Sequence, residues 1–223
     1  MTISNALKSI AEQSYKDYEV IIVDGKSEDK TLKIINNFKH KLSSLTIISE
    51  KDGGIYQAMN KGILRSKGKW LTIIGSDDHF FEDILFEKLF KVIKSNKLDK
   101  ELIVLNSFID NKVYMNNFSW RLIFNNTINH QGLVYPAEYL KKNNFNQSYK
   151  YAADYELNLK LYLDKNIKKF KSHITFCNYS TDGLSSRNYN LGQKEISIIR
   201  LKTFGLFGHF INILILIRNF FRR

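Results

Sequence analysis

Cysteine occurs once in the 223 residues, at Cys177, so no internal disulfide can form and no thiolate cage can hold a metal. That usage fits a reducing compartment. Proline is equally scarce: Pro136 stands alone, and no proline-rich linker, low-complexity stretch or internal repeat divides the chain. No secretory leader pattern opens the sequence. No apolar run reaches the roughly 20 residues that a membrane-spanning helix needs. Acids are in deficit, 22 against 34 lysines and arginines, for a formal charge of +12. That surplus points to an anionic partner, whether a membrane surface, a nucleic acid or a phosphorylated ligand. The basic residues are spread out and match no nucleic-acid-binding motif, so nucleic acid is not the expected partner.

The length suits one domain, or one domain with an appendage, and 43% hydrophobic content is enough for a core. Ile3, Leu7, Ile10 and Ala11 share a helical face over residues 2–13. Residues 19–24 run apolar into Asp24, the pattern of a central parallel strand. Gly25, Lys26 and Ser27 turn the chain. Ser27 suits an N-cap, and Glu28 and Asp29 suit the positive end of a helix that carries Leu32, Ile35 and Phe38 inward. Residues 45–49 form a second strand. Asp52-Gly53-Gly54 is a sharp turn, Ile55, Met59 and Ile63 recur at helical spacing, and residues 70–74 read as a buried strand between Gly68 and Gly75. Such alternation implies right-handed βαβ units and a parallel sheet covered on both faces.

Further on, helices are expected at 84–94, 137–142 and 151–163, with Asp154 in the first turn of the last. Strands are expected at 101–106, 130–135 and 173–179, with 113–115 pairing nearby, a loop with a short helix at 116–129 and a loop at 180–188. The sheet is therefore read as mixed, mostly parallel and flanked by helices.

Asp77 and Asp78 lie just past the carboxyl end of the 70–74 strand, where open α/β sheets bind ligands. Adjacent carboxylates repel unless a cation or a donor joins them. A divalent metal carrying a phosphate answers that need. An acidic turn capping a helix that begins near Asp83 is the alternative.

From Ile196 onward there is no acid, while Arg200, Lys202, Arg218, Arg222 and Arg223 are basic. Between them residues 204–217 are almost wholly apolar, a run of 14, too short to cross a bilayer as a helix. A helix lying in the membrane interface between basic flanks fits this pattern, and a core helix on the sheet's edge is the alternative. Residues 1–190 are thus read as the main domain and 191–223 as a basic, apolar helical region.

The segments VIIVDGKSEDKT, EKDGGIYQAMNKG, SKGKWLTIIGSDDHF, HQGLVY, AADYELNLKLYL and STDGLS, in this order from about residue 2 to about residue 188, resemble the family 2 glycosyltransferases. Any one of them is a weak signal, and six in order make a strong one. The resemblance implies the GT-A fold, a Rossmann-like nucleotide-sugar-binding α/β domain, and it is nearest to bacterial enzymes that build surface polysaccharide or lipid-linked glycans. It implies an inverting transferase that moves a sugar from a nucleoside-diphosphate donor to a lipid-linked or glycan hydroxyl, at the inner, cytoplasmic face of the plasma membrane.

Position by position, the resemblance makes Asp24 the contact to the nucleotide base, with a cap on the Lys26–Ser27 loop as the other reading. It places Asp52, Asn60 and Lys61 along the nucleotide pocket, and Ser76 beside Asp77 and Asp78, which would hold Mn2+ or Mg2+ against the diphosphate. Asp154 becomes the base that takes the acceptor proton, with a helix-start acid as its alternative. His130, with Gln131, falls near the sugar or acceptor. The loop Asp182-Gly183-Leu184-Ser185 is implied to fold over the diphosphate, with Arg187 touching phosphate.

Three departures from the family stand out. Gly75 occupies a place usually held by an acid or Asn, and Gln57 one often held by Asp. The family's first strand, which precedes the helix at 2–13, is missing, so the strands at 19–24 and 69–74 are expected to lack a shared neighbour, at about 1–3 kcal/mol for each buried backbone group left unpaired. The expectation that follows is an upstream start or a degraded remnant. A non-catalytic relic of the same fold, binding a nucleotide sugar or a partner, is the competing function.

Overall fold

The computed structural model describes residues 2–109, 112–178 and 188–221. The order is α1 (Thr2–Ala11), β1 (Val20–Asp24), α2 (Thr31–Asn37), β2 (Leu45–Ser49), α3 (Ile55–Arg65), β3 (Trp70–Leu71), β4 (His79–Phe80) and α4 (Leu85–Ser95). There follow β5 (Leu102–Ile109), β6 (Lys112–Met115), β7 (Leu133–Pro136), α5 (Ala137–Lys142), α6 (Ala153–Leu163), β8 (Lys169–Asn178), α7 (Tyr189–Phe204) and α8 (Leu206–Phe220). Single 3-10 turns lie at Trp120–Ile123 and His130–Gly132.

The core is built on the two-residue period of β5. Leu102 and Val104 face one apolar layer and Ile103 and Leu105 the other. β7 repeats the pattern, with Leu133 and Tyr135 on the first side and Val134 on the second. Residues of α3, α5, α6 and α7 cover the first face, and residues of α1, α2 and α4 the second. Each fully buried Leu or Ile in these layers contributes about 1.5–3 kcal/mol.

The strand pairing is mixed and flanked by helices, as the sequence implies, but among the described residues the parallel pairs are two, β1–β2 and β5–β8. β3–β7, β5–β7, β4–β8 and β5–β6 are antiparallel. β1 and β2 form a two-stranded sheet of their own, and β3 lies at the edge of the larger one.

Several expectations are corrected. The strand expected over 70–74 has a ladder only at Trp70 and Leu71, opposite Pro136 and Tyr135. Ser27 does not cap α2, which begins at Thr31 after Lys30, because its hydroxyl and amide are both turned onto Asp24. His130 lies on a 3-10 turn rather than at the start of a strand. β8 begins at Lys169, earlier than expected, and β4 was not expected at all. The C-terminal region is two helices, because Gly205 takes a left-handed φ of 58° and ends α7.

Candidate functional site

The acid pair stands on a tight turn between β3 and β4. Asp78 is buried, and its Oδ2 accepts from the Gly75 amide at 2.8 Å and from Gln131 Nε2 at 3.1 Å. Asp77 beside it is half-buried. Gly75 has a steric reason: a Cβ there would come within 2.6 Å of Asp77 Oδ1 and 3.0 Å of Asp78 Oδ2. The glycine that departs from the family pattern is therefore what this placement of both carboxylates requires.

Asp154 lies in the first turn of α6, at the positive end of the helix dipole. That end is fixed from α7, where the Glu195 carboxylate accepts from the amides of Lys150, Tyr151 and Ala152 at 2.8–3.0 Å. The Asp154 carboxylate is itself held by two donors. The Tyr56 hydroxyl reaches Oδ1 at 3.0 Å, and Asn126 Nδ2 reaches Oδ2 at 3.0 Å. Burial, and then the charge of Asp154, push the Tyr56 phenol far up, so it stays protonated and donating.

His130 lies on the 3-10 turn next to Gln131. Burial lowers its pKa, while the carboxylates of Asp154 and Asp78 both pull it upward, so one imidazole feels both charges. Its turn is pinned by the buried Asn116. The Asn116 amide donates to Leu105 O at 2.9 Å and Ser107 Oγ at 3.2 Å, and its carbonyl accepts from the Asn129 amide at 2.9 Å. Only glycine fits at 132, where a Cβ would lie 2.0 Å from Asn116 Nδ2.

A cavity of about 860 Å³ is lined by Asp24, Gly25, Ser27, Thr31 and Ser76 among others, and it touches the acid turn through Ser76. Its size suits a small-molecule ligand. Asp24 and Ser76 thus line one cavity. The Asp24 carboxylate is heavily used, however: Ser27 Oγ donates to it at 2.5 Å, Ser49 Oγ at 2.7 Å and the Ser27 amide at 3.1 Å. Burial pushes its pKa up, but these hydrogen bonds outweigh burial and hold it below the ordinary carboxylate value. The loop-cap reading of Asp24 is the one this geometry matches.

Asn60 is corrected outright. It is buried, with its amide spent on the backbone of Phe145 through contacts of 2.7 and 2.9 Å. Lys61 is paired with Glu50 at 2.9 Å. Asp52 is half-buried, caps the Gly54 amide at 3.1 Å and approaches Gly25, at the margin of the cavity. Arg187 and the loop at 182–185 lie outside the described residues.

No cluster of three or more His, Cys, Asp or Glu side chains is gathered for a metal among the described residues. Two adjacent carboxylates completed by phosphate oxygens are nonetheless a set that Mg2+ commonly takes, so Asp77 and Asp78 fit a cation that arrives with a diphosphate. Cys177 is buried and its thiol is pushed up by that burial, which leaves it no part in such a site.

The model of the family described as glycosyl transferase family 2 matches residues 2–155. The chain belongs to glycosyltransferase family 2. A PGL/p-HBAD biosynthesis glycosyltransferase of Mycobacterium bovis is 30% identical to this family 2 chain over 186 residues, covering 79% of the chain and 71% of the relative. A poly(ribitol-phosphate) beta-glucosyltransferase of Bacillus spizizenii is 33% identical over 101 residues, 44% of the chain and 16% of the relative. Among solved structures, S. aureus TarS 1-349 in complex with UDP-GlcNAc superposes with a TM-score of 0.70 at 20% identity, over 89% of the chain and 62% of that fragment. The mannosyltransferase PcManGT of Pyrobaculum calidifontis, in complex with GDP-Man and Mn2+, gives 0.66 at 14% identity, over 91% and 60%. These likenesses establish the GT-A fold. The chain spans about three fifths of those two solved proteins.

Tyr56, Asn126 and Asn116 are the residues that sequence reading did not single out. Tyr56 stands inside the EKDGGIYQAMNKG segment, one turn before Asn60, so its helical face was the available signal. Nothing local marks Asn126 or Asn116, whose partners lie 28 to 32 and up to 13 residues away.

Proposed function

We propose that this family 2 chain transfers a sugar, with inversion, from a nucleoside-diphosphate donor to a hydroxyl of a lipid-linked or glycan acceptor. The observation that supports the proposal is the match of the family 2 model to residues 2–155, a span that holds the Asp77–Asp78 turn and Asp154. The donor lies along the cavity between Asp24 and Ser76, with its diphosphate toward Asp77 and Asp78. Asp77 and Asp78 would hold Mn2+ or Mg2+, which would neutralise the charge that grows on the departing diphosphate.

Asp154 takes the proton of the acceptor hydroxyl as its oxygen bonds to the anomeric carbon, and the bond from that carbon to the phosphate oxygen breaks on the opposite face. The proton ends on Asp154 and the electron pair on the nucleoside diphosphate, so no covalent enzyme intermediate is needed. In this reading His130, whose pKa burial lowers, offers a polar contact to the sugar or acceptor.

The reading includes a place at the inner face of the plasma membrane with peripheral membrane contact. Among the described residues no helix is long and apolar enough to cross a membrane.

The test is nucleoside diphosphate release from UDP-GlcNAc and GDP-mannose with Mn2+ or Mg2+ and a lipid-linked acceptor pool. Asp154→Asn and Asp77→Asn are expected to lower turnover by about a hundredfold or more. Unchanged turnover in both variants would refute the assignment. A non-catalytic donor-binding protein is the second reading, favoured by the full use of Asp24 and by the Lys61–Glu50 pair, and it predicts calorimetric donor binding with no release.

A further inference from the structure

α8 turns an almost wholly apolar surface to solvent. Leu206, Phe207, Phe210, Leu214, Leu216 and Ile217 are all exposed, Leu206 at 88% and Leu216 at 69%. Inward contacts are left to Gly208, Ile211, Asn212 and Ile215. Such a face on one helix is more than scattered surface hydrophobics. The helix is 15 residues long, about 22 Å, short of the roughly 30 Å apolar thickness of a bilayer. It can lie on a membrane but not span one.

The hairpin is no stray arm. Arg200 on α7 is buried. Its Nε donates to Ile123 O at 2.8 Å, its guanidinium also to Phe124 O, and its Nη1 to Asn212 Oδ1 on α8 at 3.2 Å. Asn212 Nδ2 in turn donates to Ser197 O at 2.9 Å, which locks α8 to α7. The same α7 caps the start of α6 through Glu195, two residues before Asp154. The apolar face is therefore held at a fixed position relative to the Asp154 carboxylate.

Its charge selects the occupant. From Ile196 to the end the sequence has no acid, while Lys202 and Arg218 are exposed and Arg222 and Arg223 follow. A second copy docked symmetrically on this face would bring like charges together. An anionic bilayer offers the complementary sign along with apolar depth.

We infer that the exposed face of the α7–α8 hairpin seats on an anionic membrane surface and so presents the Asp154 site to an acceptor carried in that membrane. The acceptor part rests on the proposed role of Asp154; the docking part does not.

The experiment is flotation of the full chain with phosphatidylcholine vesicles, with and without phosphatidylglycerol, over a salt series. Binding is expected to the phosphatidylglycerol vesicles and to fall as salt rises. Phe210→Glu with Leu214→Glu, both at exposed positions, is expected to weaken binding at least about tenfold with the thermal midpoint and UDP-GlcNAc binding unchanged. Lys202→Gln with Arg218→Gln is expected to flatten the salt dependence. Failure to float, equal binding to neutral vesicles, or a concentration-dependent dimer abolished by Leu214→Glu would each overturn the inference. Asp154→Asn separates the two claims: if it floats normally and loses transfer both stand, and if it floats normally and still transfers, only the sugar-transfer reading falls.

Discussion

Gln131 donates from Nε2 to Asp78 Oδ2 at 3.1 Å across 53 residues of sequence, and it fixes one carboxylate of the acid pair from a turn on another part of the sheet. Both side chains are buried. Losing a donor to a buried carboxylate costs about 1–3 kcal/mol, more for a charge. Gln131→Ala is therefore expected to lower unfolding stability by about that amount and to raise the cation concentration needed for donor binding. Urea denaturation and metal titration of donor binding measure the two effects, and unchanged values in both would show that the contact is idle.

Tyr56 and Asn126 each hold one oxygen of Asp154, which fixes the direction in which the carboxylate can accept a proton. The orientation of Asn126 is set by Asn158, whose Nδ2 donates to Asn126 Oδ1 at 3.1 Å. Tyr56→Phe keeps the ring against Phe145, centroids 5.4 Å apart, and removes only the hydroxyl. Turnover of Tyr56→Phe is expected to fall about tenfold or more with donor affinity unchanged. A crystal structure of the variant should show the Asp154 carboxylate rotated. If carboxylate and turnover both stay as they are, Tyr56 is only a packing residue.

Gly75→Ala tests the crowding at the acid turn. The new methyl would lie 2.6 Å from Asp77 Oδ1, so the carboxylates must shift. Loss of cation-dependent donor binding with little change in the thermal midpoint is the expected result. Wild-type metal affinity in Gly75→Ala would show that the acids need not stay where they are.

The periodic parts of the chain were legible. α5 begins and ends where Pro136 and the charged run 141–142 suggest, and β2 occupies 45–49 as its apolar run implies, because both depend on local pattern. What could not be read depends on distant partners. Asn60 looks like a pocket residue in its motif, but Phe145, 85 positions away, takes its amide. Ser27 carries an N-cap signature, yet Asp24 three residues earlier competes for its hydroxyl and wins. The acid turn and Asp154 are visible as candidates, and the donors that hold them, Gln131 on Asp78 and Tyr56 and Asn126 on Asp154, are not, since they come from 28 to 98 residues away.

Asp24 gives a prediction with a sign. Its native pKa lies below the ordinary value of 3.8, because hydrogen bonds from Ser27 and Ser49 outweigh the opposing effect of burial. A carboxylate whose folded pKa is depressed stabilises the fold above its unfolded pKa, and that contribution is lost as pH falls through the folded value. Asp24→Asn removes the charge and turns an acceptor into a donor facing the Ser27 amide or a serine hydroxyl. The wild type is therefore expected to exceed Asp24→Asn in unfolding free energy at pH 7. The gap should begin to narrow once pH drops below about 4, where the aspartate of the unfolded chain takes up a proton, and should close as pH passes the lower native value. Urea unfolding of both proteins across this range measures it. A gap that stays constant down to the most acidic condition would mean that charge-assisted hydrogen bonding to Ser27 and Ser49 does not hold the end of β1 against β2.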